Sequence, residues 1–480
     1  MPDDIAALLE RTVGHPLPPG ITDPDLEARV RAGVNASNQT VVVLDDDPTG
    51  VQTVHDVPVL ADWSETTLSR EMARREPLFF VLTNCRSLTE ADASAQNREI
   101  GQRLRQAALA ENRGLSIVSR SDSTLRGHFP AETDALADAL GGVDGVLICP
   151  AFFEGGRVTV DDRHFLLEHG RAIPVHETEF ARDATFGYTA RTLPEWVAEK
   201  TRGRIQPAEV ASISLDDVRT GGAERVAECL MQIHGGQPVI VNAVDYPDLW
   251  TAVLGILQAE AAGKRFLYRT GASFVRARAG ITGRPLLTRA ELLPSPLPAQ
   301  VRGLVVVGSH VRRSSEQLTR LLSHPRTVAL EVRVPELLAS EERRAAELTR
   351  VTASMHDALM NYETPVVFTS RKIEQPAALS QLDIARSVSV ALVRLVQGLS
   401  VRPDFIIGKG GITSSDIGTH GLGVRRALVL GQVRPGVPVW RLGKESTYPD
   451  LAYVVFPGNV GTPETLLEIV SDLLDSTPVS

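Results

Sequence analysis

The chain has 480 residues, 43% apolar and 23% charged, with a formal net charge of -9. That is the mixture of an ordinary globular protein too long for one hydrophobic core, so two domains are expected. The acidic balance offers no electrostatic footprint for nucleic acid or an anionic membrane surface, and no run approaches the roughly 18 apolar residues of a membrane span.

The N-terminus Met1-Pro2-Asp3-Asp4 lacks the basic start and apolar core of a signal peptide, which predicts a cytoplasmic protein. Pro16, Pro18, Pro19 and Pro24 punctuate short helical patterns and mark residues 1–38 as an extension packed on the outside. From Val41-Val42-Val43-Leu44 onward, short apolar runs alternate with helical patterns: Leu78 to Leu82, a helix over 89–112, Ser116 to Val118, a helix over 130–140, Gly145 to Cys149, and later Pro238 to Val241. Such alternation is the signature of a largely parallel sheet covered on both faces, here a first domain over 39–284. Pro285, Pro294, Pro296 and Pro298 identify 285–300 as the linker. The pattern restarts over 301–480 with Gly303 to Gly308, Pro365 to Phe368, a helix over 378–397 and Phe405 to Ile407. The fold class is therefore α/β, two domains each with a largely parallel or mixed sheet flanked by helices, and the active site is expected in the interdomain cleft. Cys85, Cys149 and Cys229 are far apart in apolar surroundings and read as buried reduced thiols.

Three loops leave strand ends in the first domain with polar groups that a core would not tolerate. Asp45-Asp46-Asp47-Pro48-Thr49-Gly50 gathers three carboxylates that repel one another, so holding them together suggests hydroxyl or metal-bound partners, or else a solvated acidic turn. Ser119 to His128 packs Arg120, Asp122, Ser123 and Arg126 into ten residues, a density of donors and acceptors suited to a small polyhydroxylated anion. Pro150 to Arg157 adds another guanidinium, and the planar fork of Arg126 or Arg157 suits the acid end of a substrate, although either is also able to pair with local aspartates. His128, His164, His169 and His176 show no metal-ligand spacing, and no metal site is expected.

In the second domain the strand-like Phe405-Ile406-Ile407 feeds a glycine-rich turn running from Gly410-Gly411-Ile412-Thr413 through Gly418, Gly421 and Gly423. A second turn, Pro457-Gly458-Asn459-Val460-Gly461, follows Tyr453 to Phe456. One such turn is ordinary punctuation, whereas two at strand ends point to an anion site built from backbone N–H groups. Gly418 to Gly423 is GxxGxG, the reverse of the dinucleotide fingerprint, and Gly408-Lys409 lacks the flanking residues of a Walker A loop. There is no GxSxG elbow and no HExxH helix.

Taken in order, Asp46 to Gly50, Asp122 to Gly127, Pro150-Ala151-Phe152 with Gly156-Arg157, Gly308-Ser309 to Gln317, Gly410 to Thr413, Leu422-Gly423 and Gly458 to Gly461 resemble the motifs of the four-carbon acid sugar kinase family. The resemblance spans about Val41 to the C-terminus. It implies an ATP-dependent kinase acting on threonate, erythronate, 3-oxo-tetronate or a relative such as a branched five-carbon 3-oxo acid, with Mg²⁺ brought by ATP. It assigns Asp46, Asp47, Thr49, Arg120, Ser123, Arg126 and Arg157 to the sugar acid, and Ser309, Gly410, Gly411, Ile412, Thr413, Gly458 and Asn459 to the nucleotide. Asp122 is the expected carboxylate that orients or deprotonates the acceptor hydroxyl. The family usually carries Lys where Arg120 stands, a GSxS-type run where this chain has Gly308-Ser309-His310-Val311, and Glu or Asp where it has Ile412. With the run His176 to Asp183, these departures suggest a distinct branch. A sugar-acid sensor without turnover and an NAD-dependent sugar-acid dehydrogenase are the alternatives. The expected partners are the small acid and, for assembly, a second copy of the chain, with no nucleic acid and no membrane.

Overall fold

A computed structural model describes residues 3–47, 49–371 and 381–475; Pro48 and positions 378–380 of the predicted helix lie outside the described residues. The chain forms two compact units, one of residues 1–54 and 62–283, the other of 55–61 and 284–480.

The first unit is built on β1 (Gln39–Asp45), β3 (Leu78–Leu82), β4 (Gly114–Arg120), β5 (Gly145–Cys149), β9 (Ala211–Ile213), β10 (Gln237–Val241) and β11 (Phe266–Thr270). These pair in the order β3-β1-β4-β11-β5-β10-β9, every pair parallel. Helices Glu90–Ala110, Ala131–Leu140 and Tyr246–Ala261 supply crossovers, so the strands are buried on both faces and read as continuous apolar runs. A small antiparallel sheet of β6 (Arg157–Val160), β7 (Arg163–Glu168) and β8 (Arg171–Pro174) lies beside it in sequence. The extension folds as Asp3–Val13 and Leu26–Ala36; the first helix places Leu9 in an apolar cluster with Val158, Val160 and Phe165 of the small sheet.

The second unit comprises β2 (Val57–Leu60), β12 (Gly303–Val307), β13 (Thr327–Val332), β14 (Thr364–Thr369), β15 (Phe405–Lys409), β16 (Arg426–Arg434), β17 (Val437–Leu442) and β18 (Ala452–Phe456). Their order is β13-β14-β12-β15-β18-β17-β16-β2, parallel from β13 to β18 and antiparallel beyond, a mixed sheet. Residues 285–300 give this unit the short helix Arg289–Leu292, and Leu287, Leu292 and Leu293 enter its core. Cys85 and Cys149 are buried as expected, whereas Cys229 is half-buried on the helix Gly222–Met231 and stands 4.0 Å from an Asp217 oxygen. No helix among the described residues is long and apolar enough to cross a membrane.

Candidate functional site

Strand register decides which loops meet. In the first unit Asp45 lies opposite Leu82 and Arg120, and Thr270 lies opposite Arg120 and Cys149, so the carboxyl ends of β3, β1, β4, β11 and β5 are level. Loops leaving those ends bring Arg86, Asp45 to Thr49, Arg120 to Arg126, Arg269 and the segment leading to Arg157 onto one edge of the sheet.

The three aspartates have different environments. Asp45 is buried; a Cβ at Gly50 would lie 2.0 Å from its Oδ2, so only glycine lets the turn fold back over it. Burial pushes its carboxyl up to about 7, against the pull of Arg120, whose Nη1 is 3.2 Å away. Asp46 receives two hydrogen bonds from Arg86, at 3.0 and 2.6 Å, the bidentate geometry that guanidinium and carboxylate favour. Asp47 accepts from the backbone N–H and hydroxyl of Thr49 at 2.9 and 2.7 Å. Burial alone would raise its carboxyl, but Arg86 and Thr49 outweigh burial and hold it below the ordinary value.

Asp122 accepts from Arg126 Nε at 2.8 Å and from the Thr124 hydroxyl. Burial opposes its charge, yet Arg86, Arg126 and Thr124 together keep the carboxyl well below the usual carboxylate range. A carboxylate held so low adds stability that is fully present above its unfolded value of 3.8 and lost as pH falls through the folded one. Thermal unfolding followed below about pH 4 should therefore show a smaller acid-induced drop in Tm for Asp122→Asn than for the parent; an identical drop would mean the pair contributes nothing.

The loop around Asp122 is braced from behind. His164 Nε2 meets Ser123 O at 2.8 Å, with burial pulling the imidazole down to about 4 and so keeping it neutral, and Tyr188 OH donates to Thr124 O at 3.0 Å. Arg126 also stands 3.7 Å from Asp183 and over the Phe180 ring at 5.1 Å, which brings the run His176 to Asp183 into the site. Arg157 differs from Arg126: its Nη1 donates to Gly155 O, its Nε has no partner, and it pairs with no described carboxylate. Burial lowers its basicity and outweighs the pull of Asp122 and Glu168, neither of which is close enough to pair with it.

Two arginines escaped the sequence reading. Arg86 follows β3 in the short Cys85–Ser87 turn, and Arg269 is the penultimate residue of β11. Arg269 is buried, gives one bond to Arg126 O at 3.2 Å, and leaves Nε and Nη1 without partners. The signals were there: a charge immediately after one strand and a charge inside another otherwise apolar run.

In the second unit Val307 lies opposite Lys409 and Lys409 opposite Phe456, so Gly308-Ser309, Gly410 and Pro457-Gly458 emerge side by side. Gly410 has φ +117, and a Cβ there would lie 2.9 Å from Ser309 Cβ and 3.3 Å from Thr413 Oγ1. A Cβ at Gly458 would lie 3.2 Å from Ser309 Oγ. The stretch from Gly411 to Gly421 is not the turn expected of it: Gly411–Asp416 is α-helical and Ile417–Gly421 continues as a π turn, with positive φ only at the flanking Gly410 and Gly423. Gly458 and Val460 turn their carbonyls inward, to Ser314 Oγ at 2.8 Å and Gln317 Nε2 at 3.0 Å. The N–H groups of Gly458, Asn459, Val460 and Gly461 make no bond to a described residue and so remain available as donors. Ile412 and Val311 flank this cluster with 68% and 45% of their surface exposed. Structure thus gathers Ser309, Gly410 to Thr413, Gly458 and Asn459 in one unit and Asp46, Asp47, Thr49, Arg120, Asp122, Ser123, Arg126 and Arg157 in the other.

Comparison with known proteins matches residues 41–278 to a sugar-binding N-terminal domain and 304–466 to a nucleotide-binding C-terminal domain. The chain is 27% identical over 374 residues to the D-erythronate kinase of Heliobacterium modesticaldum, spanning 75% of this chain and 78% of that protein. It is 33% identical over 187 residues to the D-threonate kinase of Bordetella bronchiseptica, spanning 39% of this chain and 40% of that one. Its fold is similar to a crystal structure of a Haemophilus influenzae protein, with TM-score 0.62 at 19% identity over 90% of this chain and 100% of that chain.

Proposed function

Because the chain belongs to the four-carbon acid sugar kinase family, we propose that it transfers the γ-phosphoryl group of ATP to a hydroxyl of a small sugar acid. The substrate class is a four-carbon aldonate or 3-oxo acid, such as threonate, erythronate or 3-oxo-tetronate, with a branched five-carbon 3-oxo acid within the same chemistry. The observation that carries this reading is the split of chemistry between the units: guanidinium and carboxylate groups on one, glycine turns with open N–H groups and hydroxyls on the other.

Arg157, which forms no ion pair with a described carboxylate, takes the carboxylate of the acid, with Arg126 beside it; Asp46, Asp47, Thr49, Arg120 and Ser123 serve the hydroxyls. Arg126 is already engaged by Asp122, so Arg157 carries more of the binding. Arg157→Ala should raise KM for the acid by roughly 10- to 100-fold, the worth of one hydrogen bond to a charged group, with KM for ATP near normal. An unchanged acid KM in a folded variant would remove Arg157 from the site.

Asp122 orients the acceptor hydroxyl. A carboxylate held below the ordinary range is a weak base, and phosphoryl transfer through a loose transition state asks for alignment more than for early deprotonation. N–H groups of the Gly458 turn, with the hydroxyls of Ser309 and Thr413 beside Gly410, surround the phosphates. Those donors are hydroxyl and backbone groups rather than carboxylates, so Mg²⁺ would arrive with ATP and keep phosphate and water ligands. A coupled ADP-release screen over four- and five-carbon aldonic and 3-oxo acids tests the proposal. ADP formation that depends on one of these acids supports it; acid binding without ADP would make the protein a sensor, and acid-dependent reduction of NAD would make it a dehydrogenase.

A further inference from the structure

Lys409 ends β15, immediately before Gly410, and its side chain is fully buried. The ammonium donates to Pro457 O at 2.5 Å and Gly458 O at 3.1 Å, and sits 3.8 Å from the centroid of the Phe456 ring. No described carboxylate pairs with it. A buried ammonium satisfied only by carbonyls and an aromatic face is expensive to keep charged, since neither neutralises it. Those carbonyls belong to the same turn as the N–H groups of Gly458 to Gly461, which bond to no described residue.

We propose that Lys409 is a positioning residue for nucleotide binding, fixing the Pro457-Gly458 turn from beneath and serving as the buried counter-charge for a polyphosphate seated on the turn's outer face. The inference rests on the nucleotide reading above and adds to it a residue that touches the turn rather than the ligand. Burial, with Arg313 adding repulsion, brings Lys409 down to about 7, so in the free protein it is largely neutral at pH 8. The other titratable groups packed nearby are already committed: His310 to Thr369 Oγ1, Arg371 to the carbonyls of Ser309 and Val307, Tyr453 to Ser414 O and Asp416 to Ser389. A polyanion restores the counter-charge, raises the affinity of Lys409 for its proton, and draws that proton from solvent. Nucleotide affinity should then fall as pH rises from about 7 to 9, by at most about tenfold per unit for one linked proton.

Calorimetry with Mg-ADP at about pH 8, where a terminal phosphate with pKa about 6 is already ionised, in two buffers of different ionisation enthalpy, measures that proton directly. Wild type should take up roughly half a proton or more per site. Lys409→Met should bind ADP more weakly and take up none, Lys409→Arg should bind without uptake because guanidinium does not titrate, and Ser314→Ala, which loosens the same turn without touching the charge, should weaken binding while keeping the uptake. Equal uptake in wild type and in the Lys409 variants, or a wild-type affinity flat from pH 7 to 9, overturns the proposal. Absence of any ADP binding by wild type would instead remove the nucleotide reading on which it stands.

Discussion

Gly410→Val is expected to abolish measurable ATP binding, a loss of roughly 100-fold or more, while affinity for the sugar acid stays unchanged. The backbone at Gly410 has φ +117, which a β-branched residue does not adopt, and its Cβ would arrive 2.9 Å from Ser309 Cβ. Two of the three elements assigned to the phosphates would therefore be forced apart. The neighbouring Gly411 opens a helix without positive φ and should tolerate Ala far better. Calorimetry with each ligand on the purified variant checks both halves. Retained ATP affinity would return the turn to ordinary loop geometry, and loss of both ligands would mean that the chain had misfolded.

Asp122→Asn should lower kcat by roughly 10²-fold, the scale of a lost alignment of the acceptor, with KM for ATP little changed. The substitution keeps the shape of the side chain but removes the charge that Arg86 and Arg126 hold in place. The pH profile separates two roles. If Asp122 orients the hydroxyl as an ionised group, wild-type kcat/KM carries no acid limb from it near neutrality, because its carboxyl lies well below the usual range. An acid limb between about pH 5 and 7 that vanished in Asp122→Asn would make it a proton-accepting base instead.

The parallel strands were legible because each is a short continuous apolar run between helical patterns, as at Val41 to Leu44 and Gly145 to Cys149. Hairpin β16–β17 was not read, although Arg434-Pro435-Gly436-Val437 carries turn chemistry and β16 alternates in burial along its length. β2 pairs with β16 across more than 360 residues of sequence, a contact that no local pattern encodes. Among site residues, the loops rich in Asp, Arg and Gly declared themselves by density. Arg269 did not, because a single charge in Phe266 to Thr270 looks like a strand edge until the register places it opposite Ser119, one residue before Arg120. Distinguishing Arg157 from Arg126 also required the structure, since only geometry reveals that Asp122 already occupies one of them.

The central claim is that the γ-phosphoryl group of ATP ends on the acid. The direct measurement is to incubate the protein with Mg-ATP labelled in the γ-phosphoryl group and the acid that best stimulates ADP release, and then to separate and weigh the products. The account predicts label on a phosphorylated sugar acid formed in equal amount to ADP. Label found only in inorganic phosphate, or ADP release that is indifferent to the acid, would contradict it.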